Sequence, residues 1–302
     1  MKPLGLKTVW LLIWVSIIVP GTVCPAAAER PLDVHVVNYP LKYFAERIGG
    51  NQVSVTLPVP KDVDPAYWKP NAAEIGAFQR ADVILLNGAG YAKWLKYTSL
   101  PQLKIVNTSQ AFRERYIAVR ETVTHSHGPE GEHTHEGWAF TTWLDLSMAA
   151  GQAGAIADAF ARIRPLKASY FKANFRSLEK DLLDLDRRIK TITAKSGKLP
   201  ILFSHPVYDY FESAYGLNGK SVHWEPDLPP TPDQITELEN ILAAHPARWM
   251  IWEGVPNPSA VTALKVMNIA TTVFAPCGNT PAKGDFLSVM NANVANLQRV
   301  FF

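Results

Sequence analysis

A short run near the middle of the chain contains four histidines at the spacing of metal ligands. It reads His125-Ser-His127-Gly-Pro-Glu-Gly-Glu-His133-Thr-His135 and holds half of the chain's eight histidines. Neutral imidazole binds zinc, copper and nickel, and the Gly and Pro residues leave the run flexible enough for the two histidine pairs to close around one ion. We therefore predict a His-rich metal-binding loop over residues 125–135; a solvated insert without a role is the alternative that this composition leaves open.

Motifs of common enzymes do not occur in the sequence. It contains no His-Glu-x-x-His, no Gly-x-Ser-x-Gly and no phosphate-binding glycine loop. Ser204 and His205 are adjacent, but neighbouring side chains on an extended strand point to opposite faces, so they are not a nucleophile and its base. We therefore expect a binding protein and not an enzyme, with no organic cofactor.

The N-terminus has the features of an export signal. Lys2 and Lys7 precede an apolar run over residues 9–19, and three alanines end at Ala28. This pattern predicts a cleaved signal peptide over residues 1–28 and a mature protein in the periplasm. A lipid anchor at Cys24 is the weaker interpretation, because Cys24 follows Val23 and not a small residue.

Charge and cysteine content narrow the possible partners. The net charge of +3 falls to +1 when the signal peptide and its two lysines are removed, so nothing in the composition favours nucleic acid. The mature chain keeps a single cysteine, Cys277, which excludes an intramolecular disulfide. Its stability must therefore come from packing, and its length is sufficient for two domains with proper cores.

Two segments alternate short strands with helices, as parallel β/α layers do. The predicted strands are residues 34–38, 53–59, 83–87 and 105–107, followed by 201–204, 221–224, 249–252 and 271–274. Helices are predicted over residues 41–48 and 71–80, the second opened by Asn71 with Glu74 at the third position, and another begins at Thr231 with Gln234 at the third position. The pattern predicts an α/β fold of two β/α lobes with parallel sheets.

One long helix is predicted between these lobes. Apolar residues recur at alternating steps of four and three in a segment otherwise rich in charge: Phe171, Phe175, Leu178, Leu182, Leu185, Ile189 and Ile192. Such a stripe is typical of an amphipathic helix packed along both lobes, with a coiled-coil dimer as the alternative. We predict an N-terminal lobe over 29–163, a linking helix over 164–197, a C-terminal lobe over 198–302 and a ligand cleft between the lobes of a monomer.

Several segments then resemble the metal-binding solute-binding proteins of zinc and manganese ABC importers, the TroA-like family of cluster A-I. The segments occur in the family's order at residues 38–50, 59–65, 81–88, 143–145 and 204–217, and at Glu253. The resemblance covers nearly the whole mature chain. It implies two β/α domains bridged by one long helix, with a metal ion held between them.

The resemblance also implies which residues hold the metal. Three family ligand positions are replaced here, by Ala66, Thr141 and Ala275. His205 matches the ligand position that is kept, and Glu253 matches an acidic position that binds metal in some members. Cys277 is a further candidate for the cleft. The alternatives are a His205 that only forms hydrogen bonds and a Cys277 that packs as a small apolar residue.

Aromatic residues near the same motifs support a second interpretation. The chain has nine tryptophans, and Trp68 and Tyr208 are candidates for the cleft wall, together with Tyr67, Trp143, Trp224 and Trp252. Such walls suit an organic ligand or a metal already held by a chelator.

Together these features predict the solute-binding protein of an ABC importer for zinc or a related divalent metal ion, working with a membrane permease. Two alternatives remain open. In one, the cleft binds a metal chelate or a small organic ligand. In the other, the protein is a periplasmic metal buffer or chaperone that acts through the His-rich loop.

Overall fold

The computed structural model describes residues 29–119, 137–194 and 198–302, and the backbone of residues 124–126 and 132–134. Pro31–Phe302 is one compact unit, and Met1–Arg30 is a second, of which Glu29 and Arg30 are described. The predicted signal peptide lies outside the described residues. Of the helices in the described part of the chain, none is both long enough and apolar enough to cross a membrane.

A four-stranded parallel sheet forms the N-terminal half of the compact unit. Its strands are β1 (Leu32–Val36), β2 (Val53–Thr56), β3 (Val83–Leu86) and β4 (Ile105–Asn107), in the order β2-β1-β3-β4. Its helices are α1 (Tyr39–Gly49), α2 (Ala72–Arg80) and α3 (Leu146–Ile163). The predicted capping box of α2 is confirmed, because the Asn71 side chain accepts from the Glu74 amide and the Glu74 side chain accepts from the Asn71 amide.

Two small antiparallel pairs lie in the region of the predicted His-rich loop. β5 (Ala118–Val119) pairs with β8 (Gly137–Trp138), and β6 (Thr124–Ser126) pairs with β7 (Glu132–Thr134). In the β6–β7 register His125 stands opposite His133. His127 and His135 lie outside the described residues.

The long helix predicted between the lobes is α4 (Ala168–Thr193). Its 26 residues extend about 39 Å at 1.5 Å per residue. Six residues of the predicted stripe are buried, and Phe175 is partly buried. This stripe packs within the chain against α1, α3 and, further along, α8 (Phe286–Phe301), so a coiled-coil partner is not needed to cover it.

The C-terminal half repeats the same plan. Its strands are β9 (Pro200–Phe203), β10 (Asn218–Ser221), β11 (Trp249–Trp252) and β12 (Ala270–Val273), all parallel in the order β10-β9-β11-β12. Its helices, besides α8, are α5 (Asp209–Tyr215), α6 (Pro232–Ala244) and α7 (Pro258–Val266). The predicted fold class is therefore confirmed, whereas the lobe boundaries at 163 and 197 stay a prediction.

One strand lies elsewhere than the sequence predicts. Residues 221–224 were expected to form a strand, but β10 is Asn218–Ser221. Within the described part of the chain, this segment occupies the edge of its sheet and pairs with β9 alone. An edge strand is partly exposed to solvent and can therefore contain polar residues and glycine. The residues of β10 accordingly form no apolar run that would predict a strand.

Candidate functional site

The candidate site is built at the carboxyl ends of three neighbouring strands. His205 follows β9 by two residues, Glu253 follows β11 directly, and Glu225 follows β10 by four. Since β10, β9 and β11 are adjacent and parallel, their carboxyl ends meet at one edge of the sheet, which is where open α/β sheets bind ligands. The topology alone therefore brings one imidazole and two carboxylates together.

The geometry of this group is that of a metal site. His205, Glu225 and Glu253 each offer one ligand atom, and these atoms lie within 4.8 Å of one another. The Nε2 atom of His205 is 3.6 Å from Oε1 of Glu225, and the His205 side chain is 3% exposed. One nitrogen and two oxygen donors suit zinc and related divalent ions, which take His nitrogen and carboxylate oxygen at about 2.0–2.2 Å. We call this set the donor group.

A second histidine contacts His205 of the donor group. The ring of His223 lies edge-on to that of His205, with 5.6 Å between centroids. The His223 carbonyl accepts a hydrogen bond of 2.6 Å from the Gln234 side chain. Gln234 also closes the predicted capping box of α6 with Thr231. The first turn of α6 is thus tied to the segment that carries Glu225.

A cavity of about 840 Å³ opens in front of the donor group, and both halves of the molecule line it. The C-terminal half contributes the donor group, Asp227 and residues of the segment after β12. The N-terminal half contributes the segment after β2, where Asp62 and Asp64 lie, together with Tyr91, Phe140, Thr141 and Trp143. This cavity is the predicted cleft.

Four aromatic residues line the N-terminal side of the cavity. Tyr67, Phe140, Tyr91 and Trp143 line it and form a chain of contacts, with centroid distances of 6.3, 5.3 and 5.6 Å between successive rings. Burial raises the pKa of both Tyr67 and Tyr91, and the nearby charge of Asp64 adds to each shift. The neutral phenol is therefore favoured at both positions. We call these four residues the aromatic wall.

The three replaced family positions are accounted for in different ways. Ala66 is fully buried in the core and is not among the residues lining the cavity. Thr141 does line it, but its hydroxyl donates a hydrogen bond of 2.6 Å to the Val207 carbonyl. Ala275 lines the cavity with a methyl group. None of the three offers a strong metal donor to the cavity.

Cys277 lines the cavity but stands outside the donor group. Its backbone has the left-handed conformation, with φ of 60°, which is unusual for a residue with a side chain. Burial raises the pKa of its thiol to about 12, and the charge of Asp285 contributes. The neutral thiol is therefore favoured, and its sulfur is not one of the three donors.

Four residues predicted to face the cleft lie elsewhere. Trp224 and Trp252 do not line the cavity; they are buried and pack against each other, with 6.2 Å between ring centroids. Trp68 packs edge-to-face against Trp94 in the core, and Tyr208 is buried with its hydroxyl donating to the Phe274 carbonyl at 2.8 Å. Neither is among the residues that line the cavity. The reason is that each side chain finds a core neighbour or a backbone acceptor, so its large apolar surface is removed from water.

Hydrogen bonds across the cavity hold its two sides together. The Asn279 amide donates to three carbonyls of the N-terminal half, those of Pro60 at 2.7 Å, Lys61 at 3.2 Å and Val63 at 2.8 Å. Trp143 donates through its indole nitrogen to the Pro276 carbonyl at 2.7 Å. Fixed contacts of this kind favour a preformed cavity with small adjustments on binding.

The predicted His-rich loop emerges close to this cavity. β8 ends at Trp138, and Phe140 and Thr141, two and three residues later, line the cavity. The side chains of His125, His127, His133 and His135 lie outside the described part of the chain, so their role as ligands stays a prediction.

Sequence reasoning identified His205 and Glu253 as candidates and missed Glu225. The signal for Glu225 was present, because it is an acidic residue shortly after a predicted strand, as Glu253 is. His223 was missed as well, since only the packing of β10 beside β9 brings its ring to that of His205.

Comparison with known proteins connects this fold to metal uptake. The family model for ZnuA, zinc-uptake complex component A, periplasmic, matches residues 34–300. The zinc-binding protein AdcA of Streptococcus pyogenes is 23% identical over 90% of this chain and 56% of its own length, so the chain spans about half of that relative. The manganese-binding lipoprotein MntA of Halalkalibacterium halodurans is 26% identical over 82% of this chain and 81% of its own.

A solved structure shows the same fold. The Zn(II)-bound ZnuA-like domain of Streptococcus pneumoniae AdcA superposes with a TM-score of 0.75 at 18% identity, over 90% of this chain and 99% of that domain.

Proposed function

This chain belongs to the family of ZnuA, zinc-uptake complex component A, periplasmic, and we propose from this premise that it is the periplasmic solute-binding protein of an ABC importer for zinc or a related divalent metal ion. In this proposal the signal peptide of residues 1–28 is removed, and the mature monomer carries its cargo to a membrane permease. The metal is cargo here and not a resident cofactor.

The donor group carries this proposal. It places an imidazole and two carboxylates within 4.8 Å of one another at the sheet edge where this fold class binds ligands. The charge of the surrounding cavity agrees, because the described residues that line it include five carboxylates, against Lys61 and His205 as the basic side chains: Asp62, Asp64, Glu225, Asp227 and Glu253. A cavity of this charge attracts cations.

The family relatives support the choice of metal. AdcA is named as a zinc-binding protein and MntA as a manganese-binding one. Zinc accepts mixed nitrogen and oxygen ligands, whereas manganese favours oxygen. The donor group contains one nitrogen and two oxygens, so we expect zinc to bind more tightly than manganese.

The test is calorimetric titration of the mature protein, starting at Glu29, with Zn(II) and Mn(II). We expect one cleft site whose zinc affinity falls by more than roughly 100-fold in Glu225→Gln, because even partners outside the first coordination shell change affinity about 10- to 100-fold. Glu239→Gln is the matched control, since Glu239 is exposed on α6 and does not line the cavity.

A variant that lacks residues 124–136 separates the cleft from the His-rich loop. If the cleft is the transport site, this deletion leaves one zinc site with unchanged affinity. Loss of all zinc binding in the deletion variant, with none lost in Glu225→Gln, would instead identify a periplasmic buffer acting through the loop.

A further inference from the structure

We propose that the metal ion enters this cavity as a complex with a small organic chelator, whose chelating nitrogens complete the coordination and whose rings or apolar part lie on the aromatic wall. This inference rests on the proposed function, because it names the form in which the same donor group takes its metal. It follows from the number of donors, the space in front of them, the wall facing them and the charge around them.

The first observation is that, among the described residues, the donors come from one side of the cavity. All three belong to segments after β9, β10 and β11 in the C-terminal half. On the opposite side Thr141 already donates its hydroxyl proton to the Val207 carbonyl. Among the described residues, Asp64 is not part of the donor group, and it accepts a hydrogen bond from the Ala66 amide at 2.9 Å. Three protein donors leave at least one position open on a four-coordinate ion.

The second observation is the space in front of the donors. The cavity of about 840 Å³ is far larger than an ion needs, since a water molecule occupies about 30 Å³ of liquid. Its size lies within the range of roughly 300–1,000 Å³ found for sites that bind small organic molecules. If water alone filled this space, the apolar surface that lines it would stay in contact with water.

The third observation is the aromatic wall itself. The four rings line the cavity in a chain of successive contacts, with Phe140 partly exposed and the other three buried. The ammonium of Lys93 lies 4.8 Å from the centroid of the Phe140 ring. Aromatic faces gain most from flat or apolar partners, and a hydrated ion offers neither. The rings are therefore suited to the organic part of a complex.

The charge of the cavity then selects the class of chelator. Five carboxylates against Lys61 and His205 would repel a complex that carries a negative charge, such as zinc with a polycarboxylate. A neutral chelator with nitrogen donors keeps the charge of the divalent ion and offers a flat ring to the wall. The cargo class is therefore a cationic complex of a divalent transition metal with a neutral nitrogen-donor chelator.

Titrations with three probes test this inference. The probes are Zn(II) alone, Zn(II) with equimolar 2,2′-bipyridine, and Zn(II) with nitrilotriacetate, each followed by calorimetry and by intrinsic tryptophan fluorescence. We expect bipyridine to bind the zinc-loaded protein as a ternary complex and to raise the apparent zinc affinity at least about tenfold, in line with the gain from aromatic contacts added to coordination. Nitrilotriacetate is expected to remove the zinc.

Variants of the aromatic wall supply the control. The quantity to compare is the apparent zinc affinity with bipyridine divided by the affinity for zinc alone. Phe140→Leu is expected to lower this ratio by about 3- to 10-fold. Trp138→Leu removes an aromatic residue that is 45% exposed and outside this cavity, and it should leave the ratio unchanged.

The outcomes distinguish the inference from the function on which it rests. If bipyridine strips zinc from the protein, or leaves the affinity unchanged, the inference is overturned and a site for the bare ion remains. If neither zinc nor its bipyridine complex binds in the cleft, the proposed function itself fails.

Discussion

The two sides of the cavity are made by the same kind of structure and hold different chemistry. Each side consists of segments that follow strands of a four-stranded parallel sheet, and the two sheets have equivalent strand orders. The C-terminal side places an imidazole and two carboxylates within 4.8 Å of one another, whereas the N-terminal side presents four aromatic rings. A shared topology therefore fixes where a binding site lies, whereas a few side chains determine which ligand it binds.

The largest effect is expected when a metal ligand is removed from the C-terminal side of the cavity. His205→Ala removes the only nitrogen donor of the donor group and should lower zinc affinity by more than about 100-fold, since loss of a direct ligand exceeds the 10- to 100-fold effect of an outer partner. Competition with a fluorescent zinc chelator measures the change. Cys277→Ser is the control in the same cavity, and an equal loss there would show that the thiol is a ligand after all.

A gain in zinc affinity is expected when a metal ligand is added to the N-terminal side of the cavity. Thr141→His places an imidazole on the wall opposite the donor group and should raise the affinity for zinc alone by about tenfold, because a fourth protein donor fills an open coordination position. It should also reduce the advantage of the bipyridine complex. Thr141→Val loses the same hydrogen bond to Val207 without adding a donor, so equal affinities in the two variants would contradict the prediction.

Much of this site could be predicted from the sequence because strand ends carry it. The resemblance to the importer family predicts His205 and Glu253, which directly follow the predicted strands 201–204 and 249–252. The capping boxes at Asn71 and Thr231, predicted from residue spacing, are both confirmed. These are local signals, since each depends on residues within a few positions of one another.

The rest depends on contacts that are distant in sequence. Glu225 joins the donor group only because β10 lies beside β9, and a polar edge strand gives a weak pattern. Trp68 and Tyr208 looked like cleft residues from their motifs, but packing against Trp94 and hydrogen bonding to Phe274 turn them into the core. The direction of a large side chain is set by its neighbours, which one sequence does not reveal.

A smaller effect, on the stability of the fold, is expected when hydrogen bonds between the two sides of the cavity are removed. Asn279→Ala removes hydrogen bonds from one amide to three carbonyls across the cavity and should lower the free energy of unfolding by about 1–2 kcal/mol. Urea denaturation measures this loss. Asn51→Ala, at an exposed position of the N-terminal half, should change it far less, and equal losses would show that the contacts across the cavity do not stabilise the fold.

The smallest effects come from the two capping boxes, one in each half. Asn71→Ala and Thr231→Ala should each lower the free energy of unfolding by about 1 kcal/mol, the usual cost of losing an N-cap. Only Thr231→Ala should also weaken zinc binding, by about two- to threefold, because Gln234 links that cap to His223 beside His205. Urea denaturation and zinc competition on both variants test this difference. Equal zinc affinities in the two variants would mean that the first turn of α6 does not support the donor group, and that its position is set by the sheet alone.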